Sequence, residues 1–187
     1  METEPDANQV FTALWIGQLT AVRLFIRRRC PAEMVDDVLA ETFTIAWRHL
    51  DAIPQDARVW LLGCARRVIH TQLRTRDRYL AVERRISSLP DETVAGTDDA
   101  AIARATIRQA WGRLSEDDRE VLALYAWDEL DSTEASKVLG CTPLAFRARL
   151  SRARKRLKAL IDVDARQVPA QTMATPQPRR MWQGDAR

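Results

Sequence analysis

Between Cys141 and Leu160, the stretch CTPLAFRARLSRARKRLKAL holds seven basic side chains and not one acidic one. Guanidinium and ammonium groups at that density suit one chemistry above others, the neutralisation of a row of phosphates. At 100° per residue, Phe146, Leu150, Ala153 and Leu157 fall on one narrow stripe that must be buried. The opposite arc centres on Ala148, Ser151 and Lys155, with Arg147, Arg152 and Lys158 beside them and Arg149, Arg154 and Arg156 further out. Two small side chains among long cationic arms let a backbone come close to whatever is bound. A solvated helix face usually mixes both signs, because like charges four residues apart repel. This face does not mix them, so it reads as a nucleic-acid surface, with a bland basic face as the competing reading.

Such a helix needs elements to hold it. Thr142 followed by Pro143 marks its start, a hydroxyl to cap a free N–H and then a residue that lacks one. Just upstream, Asp131 and Glu134 cap a short helix that stops at Gly140, where a positive φ is needed. Ser136 is small where two helices must cross closely. Together these are a helix-turn-helix, whose second helix enters a major groove by its N-terminal half. That geometry gives Arg147, Ala148, Ser151 and Arg152 to bases or flanking phosphates, with Thr142 and Arg149 alongside. Arg154, Lys155, Arg156 and Lys158 fall mostly to the backbone. A basic hairpin that binds an acidic protein is the alternative.

The 187 residues suit one ordinary domain or two small ones, and 46% hydrophobic content is enough for compact cores. Net charge is only +3, but it is segregated. Leu114–Glu134 carries eight acids against the single base Arg119, immediately ahead of the cationic helix. That pattern points to partners of opposite charge rather than to a uniformly basic coat. Cys30, Cys64 and Cys141 are widely spaced without a CxxC, and read as reduced thiols rather than a disulfide framework or zinc site. The start, METEPDANQV, lacks the features of a signal peptide, and no apolar run approaches the roughly 20 residues of a membrane span. The expectation is a cytoplasmic protein with no membrane contact, no cofactor and no metal.

The expected fold is all-α, two small helical domains joined by a flexible linker. A first helix over Val10–Arg29 carries Phe11, Leu14, Trp15, Leu19, Val22, Phe25 and Ile26 at helical spacing. A second, after Pro31, turns Val35, Val38, Leu39, Thr42, Ala46, Trp47 and Leu50 inward. Asp51–Asp56 is a short turn, and a third helix from Ala57 to Arg76 carries Leu62, Ala65, Ile69 and Leu73 on one face with arginines around it. SSLPDETVAGTDDA then breaks the pattern and reads as linker. Helices resume with Ile107, Trp111 and Leu114, followed by a capping-box start at Ser115–Asp118. Arg166–Arg187 has three prolines and no periodicity, and reads as a disordered tail with Trp182 unexplained.

LSEDDREVLALYAWDELDSTEASKVLGCTPLAFRARLSRARKRL resembles the promoter-distal DNA-binding domain of bacterial RNA polymerase sigma factors of the extracytoplasmic-function (ECF) class, in the sigma-70 family. DDVLAETFTIAWRHL followed by RVWLLGCARRVIHTQLRTR is similar to the other main domain of that class. The resemblance implies a region 2-like domain over 10–78, a linker over 79–104, a region 4-like domain over 105–162 and a tail over 163–187. It implies that Asp36, Asp37, Ala40, Glu41 and Trp47 face core RNA polymerase, at the β′ clamp helices, and that the second domain meets the β flap. It implies that Arg58, Trp60, Arg66, Arg67, His70 and Arg74 meet the opened minus-ten strand, with core packing the competing role for Trp60. The helix-turn-helix would read the minus-thirty-five duplex, and an anti-sigma factor is an expected partner.

This chain departs from the family pattern at Ala40 (usually Gln), at Arg67 and Thr71 (commonly Asn and Asp), at Glu129 and Ala135, and at Ala148 (often Ser). Nothing supports an enzyme: His49 and His70 are isolated, and no P-loop, HExxH or nucleophile elbow is present. The alternative function is a one-component regulator that binds duplex DNA without polymerase.

Overall fold

A computed structural model describes residues 6–83 and 99–167, with side chains described over 6–76 and 105–163. Every extended element among them is helical: α1 (Ala7–Arg27), α2 (Val35–Arg48), α3 (Ala57–Glu83), α4 (Asp99–Gly112), α5 (Glu116–Ala126), α6 (Ser132–Leu139) and α7 (Pro143–Gln167). Single 3-10 turns at Ala32–Met34 and Leu50–Ala52 flank α2. α3 and α4 extend into both ends of the expected 79–104 linker, whose middle, like most of the expected tail and Trp182, lies outside the described residues.

Packing groups the chain into two units. The larger takes residues 1–94 and 115–154, which carry α1–α3, α5, α6 and the first half of α7; the smaller takes 95–114 and 155–187. In the larger unit α3 is the central helix, packed against α1, α2 and α6. That position explains a mismatch with its sequence pattern. One inward stripe was expected, and Leu62, Ala65 and Ile69 are indeed buried, but so are Val59, Leu61, Cys64 and Val68. A helix with neighbours on several sides buries more than one stripe. Val22, Phe25 and Ile26 of α1 and Val38, Leu39, Phe43 and Ala46 of α2 complete this core.

Three expectations need correction. Trp47 was placed inward, yet it is 45% exposed, and Phe43 is the aromatic residue of α2 that fills the core. The Trp47 ring instead meets Phe11 edge-on, 5.1 Å between centroids, while Trp15 lies against Phe43 at 4.3 Å. Ile107 was expected on the apolar face of α4 but is exposed; Ala110 is buried there, and Leu114 is buried just past the end of the helix. α1 is also long and apolar enough, by length and composition, to cross a membrane. Counting unbroken apolar runs missed this, because scattered small and polar residues barely lower its mean hydropathy. One side of it packs on the core through buried Val22, Phe25 and Ile26 and through aromatic contacts with α2, while most of its residues are exposed or half-buried.

The punctuation in the second half forms largely as the residue types dictate. Ser115 caps α5 by accepting from Asp118 N–H at 3.2 Å, but only this half of a capping box forms, since Asp118 stands where a longer Glu would reach back. α6 has the full box: Asp131 accepts from the N–H groups of Thr133 and Glu134, and Glu134 accepts from Asp131 N–H at 2.8 Å. Gly140 ends α6 at φ 65°, and Cys141 N–H closes the turn onto Ser136 carbonyl at 2.9 Å. Glu129 also holds a left-handed φ of 55°, without the glycine that such a position favours.

Candidate nucleic-acid and polymerase interface

α7 is seated by Phe146, Leu150 and Ala153, all buried, and Leu157 is half-buried. Thr142 caps it, its Oγ1 accepting from Ala145 N–H at 3.2 Å. Ser136 is buried at the foot of the helix-turn-helix and donates to Thr133 carbonyl at 2.7 Å, so its hydroxyl is satisfied without occupying the crossing space. Seated this way, α7 exposes Arg147, Ala148, Arg149, Ser151, Arg152, Lys155 and Arg156. No carboxylate among the described residues pairs with Arg147, Arg149, Arg152 or Lys155. Arg152 leans back on Ala148 carbonyl at 3.3 Å, and the Arg154 guanidinium lies 4.3 Å over the Tyr125 ring. Leu144, an apolar residue outside the buried stripe, is 69% exposed at the start of the same helix.

α2 turns a second surface outward. Asp36, Asp37, Ala40, Glu41, Thr44, Trp47 and Arg48 are all exposed and share one side of the helix at 100° spacing. Asp36 pairs with Arg23 at 3.0 Å and Glu41 accepts from Gln72 at 2.8 Å, both in exposed settings. All five residues proposed on this helix from sequence therefore come together. In the 3-10 turn ahead of α2, Glu33 is held below the usual carboxylate range by hydrogen bonding to its own backbone N–H and by Arg76, which donates to it at 2.7 Å.

The cationic residues of α3 have a different setting. Arg67 and Arg74 are exposed, Trp60 is half-buried, and Arg67 donates to the Cys64 sulfur at 3.2 Å. Burial pushes the Cys64 thiol up, partly opposed by Arg67. Arg66 grips Glu120 of α5 with two bonds, Nε to Oε1 at 2.7 Å and Nη2 to Oε2 at 3.0 Å. His70 lies 3.9 Å from the same carboxylate. Arg58 donates to the carbonyl of Asp128 at 2.7 Å. The Asp128 side chain, only 3% exposed, accepts from Arg28 at 3.0 Å and from Arg29 at 2.5 Å. In the sequence Asp128 and Glu120 are two of eight acids in one run, and nothing distinguishes them; Arg28 and Arg29 carry no signal beyond their charge.

An all-helical chain with a capped, cationic helix-turn-helix and an acidic outward helix face has the parts of a transcription initiation factor that meets both DNA and polymerase. The comparisons name the class. The family model "Sigma-70, region 4" matches residues 104–157. RNA polymerase sigma factor CnrH of Cupriavidus metallidurans is 32% identical over 151 residues, 72% of this chain and 77% of that protein. ECF RNA polymerase sigma factor SigM of Bacillus subtilis is 29% identical over 129 residues, 68% of this chain and 79% of that one. Among solved structures, the sigma factor RpoE in complex with the anti-sigma factor NepR from Bartonella quintana aligns with a TM-score of 0.61 at 25% identity, over 82% of this chain and 98% of that one. The chain belongs to the ECF sigma factors of the sigma-70 family. It directs RNA polymerase to promoters and performs no catalysis of its own.

Proposed function

We propose that the two halves of the chain divide the work of initiation. Residues 10–78 hold core polymerase through Asp36, Asp37, Ala40, Glu41 and Trp47, which meet the β′ clamp helices. Their α3 carries the opened minus-ten strand on Arg58, Arg66, Arg67, His70 and Arg74, and so assists melting. Residues 105–162 bind the minus-thirty-five duplex through Thr142, Arg147, Ala148, Arg149, Ser151, Arg152, Lys155 and Arg156, and meet the β flap. The protein works in the cytoplasm.

The observation that carries this reading is the outward face of α7, where Arg147, Arg149, Arg152 and Lys155 surround Ala148 and Ser151 and pair with no carboxylate among the described residues. A sigma factor binds its promoter tightly only with core enzyme, whereas a stand-alone regulator would bind duplex DNA by itself. The test is promoter binding and open-complex formation on a pool of promoter fragments, with and without core enzyme. Polymerase-independent, site-specific binding would overturn it. For α2, reversing Asp37 and Glu41 to Arg should reduce capture of core enzyme in a pull-down with helical content unchanged by circular dichroism. Unaltered capture would return those acids to an ordinary solvated face.

Anti-sigma control is the remaining part of the proposal. The support is that two structures resembling this chain are complexes of this kind, the RpoE–NepR pair and CnrH with the cytosolic domain of CnrY, the latter with a TM-score of 0.57 at 28% identity over 84% of this chain and 96% of that one.

A further inference from the structure

The half of α7 that enters the groove holds a large apolar side chain out in water. Leu144 is 69% exposed, whereas Phe146 two residues on is fully buried. Helix formation does not require a leucine there. The first turn is capped by the Thr142 hydroxyl on Ala145 N–H, and the apolar residue that anchors this end is Phe146. Leu144 does not belong to the seating stripe either, because Phe146, Leu150 and Ala153 lie on the far side of the helix. At about 100° per residue, Leu144 falls about 20° from Ser151 and Lys155 and about 40° from Ala148, midway across the exposed arc from Arg147 to Arg152. Among the described residues of α7, the other exposed large apolar side chain is Val163, near the opposite end.

A leucine in the centre of a cationic arc adds nothing to phosphate binding. It matches a different surface. In the major groove, base edges present hydrogen-bond donors and acceptors, and thymine adds an apolar group, its C5 methyl. Leu144 against that methyl takes both out of water, and Ala148 one turn on widens the same apolar strip. Against a guanine edge, Leu144 would displace water from O6 and N7 and return no hydrogen bond. The cationic arms on either side hold phosphates and so fix the register in which such a short contact can form.

We propose that Leu144 is a specificity-determining residue that packs on a thymine methyl, so that the minus-thirty-five element carries an A·T pair at that position. The inference rests on the reading of α7 as the duplex-facing helix. It gives that helix contacts of two kinds: Arg147 offers hydrogen bonds to base edges, and Leu144 offers a dry surface that selects by methyl group alone.

The test uses holoenzyme and a promoter fragment recovered from the promoter pool. Each thymine of its minus-thirty-five element, on either strand, is replaced in turn by deoxyuridine, which lacks only the methyl. At one of these positions the parent should lose about fourfold in affinity, the effect of burying one methyl-sized group. Leu144→Ala should bind the thymine and uracil forms equally at that position, with the parent's salt slope, because no charge is lost. Leu144→Met, close in volume, should keep the discrimination. Position 144 is exposed, and alanine and methionine both suit helices, so the two variants should keep the parent's circular dichroism. A parent indifferent to the methyl at every position, or a bound element without an A·T pair, would overturn the proposal. So would a Leu144→Ala variant that still distinguishes thymine from uracil as the parent does. Arg147→Ala and Lys158→Ala, measured alongside, separate the two claims. Weakened binding in those variants with no methyl effect removes the Leu144 contact and leaves α7 on the duplex. Unaltered binding in both removes the duplex reading and the contact with it.

Discussion

Two helices in this chain carry cationic rows, and they differ in what stands opposite. On α7, Arg147, Arg149 and Arg152 project from a helix seated by Phe146 and Leu150 and meet no carboxylate among the described residues. On α3, Arg58 and Arg66 reach Asp128 and Glu120, and both acids are largely shielded from water. A sequence reading assigns DNA to the α7 row from its charge pattern and to the α3 row from the resemblance to the family. The difference in surroundings leaves the described cations of α7 open to solvent and those of α3 already held by acids. Arginine suits both settings, because its fork keeps its charge when buried and matches carboxylate and phosphate equally well.

The comparison can be broken most forcefully through the seating of α7. Phe146 is fully buried, and Phe146→Ala should cost about 3–5 kcal/mol of stability, read from urea unfolding. A loss below about 1 kcal/mol would mean that α7 is held by something other than its apolar stripe. Next in size is the cap that sets the helix before it. Asp131→Ala removes two accepted hydrogen bonds and should cost about 1 kcal/mol in the same assay. The smallest change should run the other way: Glu129→Gly relieves a left-handed residue and should stabilise by up to about 1 kcal/mol. A destabilised Glu129→Gly would show that the glutamate side chain contributes more at this turn than its backbone costs.

Helices and their ends were legible because they depend on local chemistry. Thr142, Asp131 and Gly140 do what those residue types do at helix ends. The apolar stripe of α7 is read directly from 3.6-residue spacing, since that helix buries one side. α3 was less legible, because α6 covers a further face of it and periodicity within a helix does not report how many neighbours it has. Trp47 was misplaced for a related reason: Phe43 lies four residues away on nearly the same side of α2, and only packing decides which ring fills the core. On the site, the exposed row of α7 could be read from pattern, and the acidic face of α2 came with the resemblance to the family. The Asp128 cluster could not, as it joins Arg28 to a residue 100 positions away and no local signal separates that acid from its neighbours.

The assignment of α7 to duplex DNA is tested most directly by holoenzyme binding to a matched and a scrambled minus-thirty-five element across a salt series. Arg147 lies in the half of α7 that enters the groove, so Arg147→Ala should cost about 1–3 kcal/mol on the matched element and relax preference at one position. Lys158 lies beyond base edges, so Lys158→Ala should weaken binding on both elements alike and lower the salt slope by about one unit. Equal losses on both sequences for the two variants would contradict the division into base reader and phosphate anchor. No loss for either on any DNA would contradict the placement of α7 against DNA.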